Sequence, residues 1–284
     1  MAKVAIVTDS TSSLPKEYQE KYNISVVPQV LIWGDKSYED GIDIQADEFY
    51  RKLAESKTLP TTSQVSVMNM KAAFERLLAQ GYDVMGVFLS SKLSGTIQSA
   101  IQGRESLDSG QEKVHIFDSQ TSSMALGFQA LAIARAASEG ANAKECLALA
   151  EKIRETTGIF FMVDTLEYLH RGGRIGGAQR LIGTALNLKP ILTVKDGKVE
   201  AAERVRTKGK ALDRLVEIIG EQCKGKGPIH LASLSANAAE DAKSVLTAAS
   251  LSMEVSETIS TELSPVLGTH TGPGTVGLAY MTGV

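Results

Sequence analysis

A chain of 284 residues is long for one hydrophobic core and suits two domains. Its apolar share of 43% and charged share of 22% are those of an ordinary globular protein. A net charge of −3 argues against a general nucleic-acid binder, which carries a basic excess. No apolar run approaches a bilayer span, and no secretory h-region precedes the first strand. Cys146 and Cys223 stand far apart and fit a reducing compartment better than a disulfide framework. A cytoplasmic protein without stable membrane insertion is expected.

In chain order, Val4 to Val7 reads as a buried strand ending in Thr8-Asp9-Ser10-Thr11-Ser12-Ser13, and Pro15 suits the first turn of a short helix. Ile24 to Ile32 reads as one apolar strand, with Gly34-Asp35-Lys36 as a hairpin tip. A helix from about Ala46 to Ser56 leads to the loop Pro60-Thr61-Thr62-Ser63-Gln64. Val67, Met70, Phe74, Leu77 and Leu78 share one face of a helix that stops at Gly81. Val84 to Leu89 has the length and β-branched content of a buried strand. The loop Ser90-Ser91-Lys92-Leu93-Ser94-Gly95-Thr96 then hands it to a helix carrying Ile97, Ala100 and Ile101. Val114 to Phe117 is a further strand, closed by Asp118-Ser119-Gln120-Thr121-Ser122-Ser123. Helices to Gly140 and over Ala143 to Thr156 follow.

This alternation predicts an N-terminal α/β domain with a parallel sheet and right-handed crossovers over residues 1–157. Four hydroxyl-rich stretches fall at strand ends or just before helices, and parallel strands bring such loops to one rim, where ligands sit. Backbone N–H groups at a helix N-terminus favour an anion there. After Gly158 the pattern changes. Ile159 to Val163 is a strand, Leu166 to Leu169 a helical turn, and Arg171-Gly172-Gly173-Arg174-Ile175-Gly176-Gly177 a glycine-rich loop. Leu188 to Val194 and Val199 to Val205 flank Lys195-Asp196-Gly197-Lys198 as a hairpin. A helix over Lys208 to Cys223, a strand over Ile229 to Leu234, a helix over Ala238 to Ala249 and a strand over Met253 to Ile259 come next. Val266 to Thr275 reads as a glycine-dense loop before a last short strand. Residues 158–284 are therefore expected to form an α+β domain with a mixed or antiparallel sheet.

Several motif matches fail on context. Gly272-Pro273-Gly274-Thr275-Val276-Gly277 fits G-x-G-x-x-G but precedes a strand at the chain's end, where a dinucleotide site needs a following helix. Gly220 to Lys226 lacks the Ser/Thr of a phosphate-binding loop, since Gly227 stands there. His115, His170, His230 and His270 show no metal-ligand spacing. No metal or cofactor is expected, and no catalytic residue is assigned.

The hydroxyl loops suit a small anionic group. Burying a carboxylate without partners costs several kcal/mol or forces protonation. Thr62 and Ser94 hydroxyls, the backbone at Gly95, and His270 with its neighbour Thr269 could satisfy one. Each charge-assisted bond contributes about 1.5–3 kcal/mol. One of Thr61, Thr62 and Ser63 must cap the next helix, so which of them meets a ligand stays open. Thr61, Asp9, Ser10 and Ser119 are assigned to a secondary pocket, with Asp9 orienting hydroxyls or capping a turn. Arg174, in its glycine loop, could cap a helix, pair with an acid or dock a partner. Arg204, Arg206, Lys208 and Lys210 form a basic run that reads equally as a solvated helix entrance or a docking surface.

Thr8-Asp9-Ser10-Thr11, Pro60 to Gln64, Ser90 to Thr96, Leu166 to Leu169 with Gly172-Gly173-Arg174-Ile175-Gly176, and Gly268 to Gly274 together resemble the bacterial DegV family, across the whole chain and in the family's order. The resemblance implies two α/β domains holding a long-chain fatty acid, and a partner fatty acid kinase that phosphorylates the presented carboxylate to an acyl-phosphate. It favours Arg174 and Arg206 as the positions that meet the kinase. A long tail would supply the affinity: roughly fourteen methylenes at ~0.8 kcal/mol each is ~11 kcal/mol before association costs. Two alternatives compete. One is a serine hydrolase with Ser94 as nucleophile and His270 as base, though no G-x-S-x-G elbow surrounds Ser94. The other is a sensor or binding module for another small anionic lipid.

Overall fold

A computed structural model describes residues 3–183 and 188–284. Met1 and Ala2 of the N-terminal reading, and residues 184–187 of the second predicted domain, lie outside the described residues.

Strands β1 (Val4–Asp9), β2 (Ser25–Val27), β6 (Asp83–Phe88) and β7 (Val114–Asp118) form a four-stranded sheet in the order β2-β1-β6-β7. Every pairing in it is parallel. All four strands therefore end on one rim, where the turn after Asp9 and the loops after Phe88 and Asp118 emerge. A second sheet has six strands in the order β10-β9-β8-β13-β11-β12. These are β8 (Thr157–Met162), β9 (Ile191–Lys195), β10 (Lys198–Glu203), β11 (Ile229–Ser235), β12 (Glu257–Glu262) and β13 (Val276–Thr282). Only β11 and β12 pair in parallel, so this sheet is mixed. The chain is thus an α/β protein with a parallel N-terminal sheet and a mixed C-terminal one.

Between the sheets lie α5 (Ser123–Ser138) and α6 (Ala143–Thr156), which pack on strands of both. That position explains the composition of α5. A helix with sheets on two sides needs apolar groups around most of its girth, and from Ser123 to Ala134 every residue of α5 is buried. It also needs small residues where the backbone comes close: a Cβ at Gly127 would lie 2.5 Å from the Ser12 carbonyl oxygen. One apolar cluster runs from Met85 and Val87 through Leu126 and Leu131 to Phe161 and Ala279, joining the inner faces of both sheets. Outside the first sheet, α3 (Val67–Ala79) and α4 (Thr96–Glu105) cover Val7, Val84 and Phe88. Outside the second, α8 (Lys208–Cys223) and α9 (Ala239–Ser252) cover Leu231 and Leu278.

Four local readings differ from the structure. The run from Ile24 to Ile32 is two strands, because Pro28 has no N–H to continue a ladder. After it, β3 (Val30–Trp33) leaves the parallel sheet and pairs antiparallel with β4 (Lys36–Glu39). The stretch read as a loop from Pro60 to Gln64 contains β5 (Thr61–Ser63), a third strand of that small sheet. The strand placed at Met253 to Ile259 begins four residues later, at Glu257. The glycine-dense loop at Val266 to Thr275 is largely the helix α10 (Pro265–Thr271). Ser264 caps α10 by accepting from the Leu267 N–H, and Pro265 opens it, a start signal that the glycines obscure.

The two sheets are also joined away from the rim. Arg135, near the end of α5, donates to both carboxylate oxygens of Glu257 on β12, at 2.7 and 3.1 Å. Tyr18 of α1 (Lys16–Lys21) donates at 3.1 Å, and His230 Nδ1 lies 3.0 Å away. The His230 hydrogen bond, then Arg135, hold Glu257 down to about 2 against the cost of burial. A carboxyl whose pKa falls on folding stabilises the native state above its unfolded value near 4.3 and loses that stabilisation as pH drops toward 2. Glu257→Gln is expected to cost about 2 kcal/mol at pH 7, by loss of charge-assisted bonds, and to flatten the decline in stability below pH 4.5. Urea denaturation from pH 2.5 to 7 checks this; parallel curves for the two proteins would refute the assignment.

Candidate functional site

The rim of the parallel sheet faces α10, α7 (Glu167–Arg171) and the β9–β10 hairpin, and a slot lies between them. The void holds about 670 Å³ between its walls, part of it open to solvent. Its walls are mostly apolar: Leu89, Leu93, Phe161, Val194, Val199 and Val266 line it.

Four of its polar groups come from separate segments. Thr62 sits mid-strand in β5, paired with Leu31 of β3. His270 is in the last turn of α10, and its Nε2 lies 2.8 Å from Thr62 Oγ1. Arg174 donates from Nε to the Leu93 carbonyl at 3.0 Å and from Nη1 to the Gly172 carbonyl at 2.7 Å. Ser94 follows Leu93 and lines the same slot. Side chains from β5, the loop after β6, the glycine loop and α10 thus meet around one space.

Burial, and then the positive charge of Arg174, push the His270 imidazole down to about 4. At neutral pH it is therefore uncharged and carries one ring proton. Its Nδ1 is buried with no hydrogen-bond partner. Leaving an N–H without a partner costs more than leaving a lone pair, so the proton belongs on Nε2, pointing at Thr62. Gly172 makes this placement possible. A Cβ there would collide with the His270 ring at Nδ1, so the ring seats directly on the glycine backbone.

The predicted site residues fall into distinct places. Thr62, Ser94 and His270 line the slot together. Gly95 is the exposed N-cap of α4, just outside it, and a Cβ there would press within 3.1 Å of the Gln64 side chain. Thr269 is buried and turns its hydroxyl back to the Pro265 carbonyl, as a helical threonine does. The four secondary-pocket residues do not share a pocket. Thr61 is exposed at the start of β5, while Ser119 spends its hydroxyl on the Thr121 carbonyl. Ser10 donates to Asp40 beside a separate groove. Asp9 is fully buried and accepts from Leu89 N–H, Thr11 N–H, the Thr11 hydroxyl and Gln29. Arg174 is part of the slot wall, half-buried and held by two carbonyls, whereas the glycine count reads as a free loop. Arg206 is exposed, without a hydrogen bond or ion pair among the described residues.

Sequence reasoning missed Gln29, Gln64, Thr11 and Ser122, which also line the slot. Thr11, Gln64 and Ser122 lie in stretches already read as loops of the ligand rim, and for Gln29 the one signal was its place directly after Pro28 inside an apolar run. Among the described residues, no three His, Cys, Asp or Glu side chains are grouped to hold a metal ion, and no helix is long and apolar enough to cross a membrane.

A narrow apolar slot with neutral hydroxyl and imidazole donors and one guanidinium has the polarity of a site for an amphiphile with an acceptor head group. The chain belongs to the DegV family, whose model, described as an uncharacterised protein of the DegV family, matches residues 3–283. It is 38% identical over 279 residues to a DegV domain-containing protein of Clostridium perfringens, covering 98% of each chain. Among solved structures it resembles a DegV family protein from Thermus thermophilus described by its fatty acid binding, with a TM-score of 0.93, 34% identity and 99% of each chain covered. It also resembles DegV of Bacillus subtilis, described as a fatty acid binding protein, with a TM-score of 0.90, 32% identity and 100% of each chain covered.

The imidazole assignment has a direct check. In ligand-free protein, the His270 ring resonances should titrate with a midpoint about 4, against the usual 6.5 or so of a solvated histidine. A midpoint near 6.5 in an NMR titration would mean that the ring is solvated and the donor arrangement described above does not exist.

Proposed function

We propose that this chain binds a long-chain fatty acid in the slot, with the carboxylate at Ser94, Thr62, His270 and Arg174, and presents it to a separate fatty acid kinase for acyl-phosphate formation. The observation that carries the reading is the convergence of the Ser94 and Thr62 hydroxyls and the Arg174 guanidinium on a largely apolar slot, with the His270 imidazole orienting the Thr62 hydroxyl. A carboxylate there exchanges water for hydroxyl donors and a nearby positive charge, so it need not be buried unpaired. The chain needs no catalytic group of its own for this role. The kinase step rests on the family resemblance, and Arg206, an exposed cation with no partner among the described residues, is the residue proposed to meet the kinase.

The hydrolase reading has weaker support. A nucleophile–base–acid array needs Ser94 bonded to His270 and an acid behind the ring. Ser94 Oγ instead pairs with Thr96, His270 Nε2 pairs with Thr62, and Nδ1 has no carboxylate beside it. Another anionic lipid would use the same donors, and the described fatty acid binding of similar DegV proteins favours a carboxylate.

The test is an organic extract of purified protein, analysed by mass spectrometry before and after incubation with palmitate. One acyl chain per protein is expected, held about tenfold or more weaker in Ser94→Ala, since one charge-assisted bond is worth about 1.5–3 kcal/mol. Arg206→Ala should bind normally yet slow acyl-phosphate formation by added kinase, most at low ionic strength. Protein that takes up no acyl chain even with excess palmitate would overturn the reading.

A further inference from the structure

Asp9 is the most deeply buried carboxyl of the rim and does not touch the slot, yet a chain of hydrogen bonds leads from it to Ser94. Gln29 Nε2 lies 3.2 Å from Asp9 Oδ1 and 2.8 Å from Thr96 Oγ1. Thr96 Oγ1 lies 3.0 Å from Ser94 Oγ, and the Thr96 N–H also donates to Ser94 Oγ at 3.3 Å. Asp9, Gln29 and Thr96 are each no more than 2% exposed, so water does not compete for these bonds.

The direction of every bond follows from its starting point. Backbone N–H groups of Thr11 and Leu89 donate to the two Asp9 oxygens. Oδ1 therefore acts as an acceptor toward Gln29, which pins the Gln29 amide with its nitrogen inward. An amide nitrogen carries two protons: one goes to Asp9 and the other to Thr96. Thr96 Oγ1, having accepted, must give its own proton away, and Ser94 Oγ is its one other partner among the described residues. Ser94 then accepts twice, from the Thr96 hydroxyl and the Thr96 N–H. Both its lone pairs are filled, and its proton is left for whatever occupies the slot.

We infer that Asp9, Gln29 and Thr96 form a polarity relay that fixes Ser94 as a donor, so that the site selects an acceptor-only head group over one that must itself donate. Thr96 is a positioning residue that acts on the ligand only through Ser94, and Gln29, which also borders the slot, sets the direction of the Thr96 bond. The inference rests on the fatty-acid reading and adds its head-group selectivity. A carboxylate offers only acceptors to Ser94, whereas a fatty alcohol or primary amide brings protons that face other donors and remain unpaired. Thr62 reinforces this, because an imidazole proton on Nε2 makes Thr62 an acceptor from His270 and turns its hydroxyl proton outward as well.

The experiment compares binding of palmitate and of hexadecanol, the alcohol of equal chain length, to four proteins: the parent, Thr96→Val, Thr96→Ser and Gln29→Met. The parent should prefer palmitate strongly. In Thr96→Val the relay ends, Ser94 regains a free acceptor, and palmitate binding should fall about tenfold while hexadecanol binding stays within twofold. Thr96→Ser keeps the hydroxyl and should restore the preference. Gln29→Met, of similar length but without donors, should lower the ratio of palmitate to hexadecanol affinity as Thr96→Val does, any effect through the slot wall being common to both ligands, and stands in for it if valine impairs folding, as judged by urea denaturation. Equal weakening of both ligands would show a merely structural role and overturn the relay, as would a Thr96→Val protein with unchanged palmitate affinity. A parent protein that binds palmitate without preferring it to hexadecanol also overturns the relay but leaves fatty-acid binding standing. A parent that binds neither overturns the functional reading itself.

Discussion

The rim is organised by one buried carboxyl. Asp9 terminates β1, and its two oxygens receive donors from the segment after β6, from its own turn and from Gln29 beyond Pro28. Burial pushes its pKa up, and the hydrogen bond from the Leu89 backbone is the largest influence opposing that rise. A group desolvated this completely is tolerable only when saturated with donors, and saturating it requires those segments to be in place together. The same requirement leaves Ser94 and Leu89 at the slot.

The second sheet supplies what the first lacks. Parallel strands end in polar loops and offer few apolar side chains beyond their carboxyl ends, so the N-terminal half contributes only Leu89 and Leu93 to the apolar wall. Phe161, Leu169, Val194, Val199 and Val266 come from the C-terminal half. Contact between the halves is close: Ser90 donates to the Gly197 carbonyl at the hairpin tip, and a Cβ at Gly197 would lie 2.5 Å from Ser90 Oγ. Glycine there allows the hairpin both its left-handed turn, at φ +78°, and its seat on the loop. Helix α5 holds the arrangement by serving as the inner layer of both sheets.

Much of the scaffold was legible in the sequence because strand and helix periodicities were clean and their breaks marked. Val84 to Leu89 followed by a hydroxyl loop located the slot's rim, and Thr62, Ser94 and His270 were readable as donors by type and context. What escaped depended on contacts distant in sequence. Nothing local to Gln29 reveals that its amide bridges Asp9 and Thr96. Nothing near Arg174 reveals that the Leu93 carbonyl, 81 positions away, holds it in a wall. Glycines misled in both directions: those of Gly268 to Gly274 hid a capped helix, and Gly172 looked like loop flexibility where its function is to admit an imidazole ring.

The central claim is that the slot holds an ionised carboxylate by donors aimed at it. Carbon-13 NMR of bound palmitate labelled at the carboxyl carbon tests this most directly. In an apolar slot without donors, desolvation would raise a carboxyl pKa by several units and leave it neutral near pH 6. The account predicts a single bound resonance at the position of an ionised carboxylate at pH 6, displaced in Ser94→Ala and again in Thr62→Val. A bound resonance of the neutral acid at that pH, or one unmoved by either substitution, would contradict it.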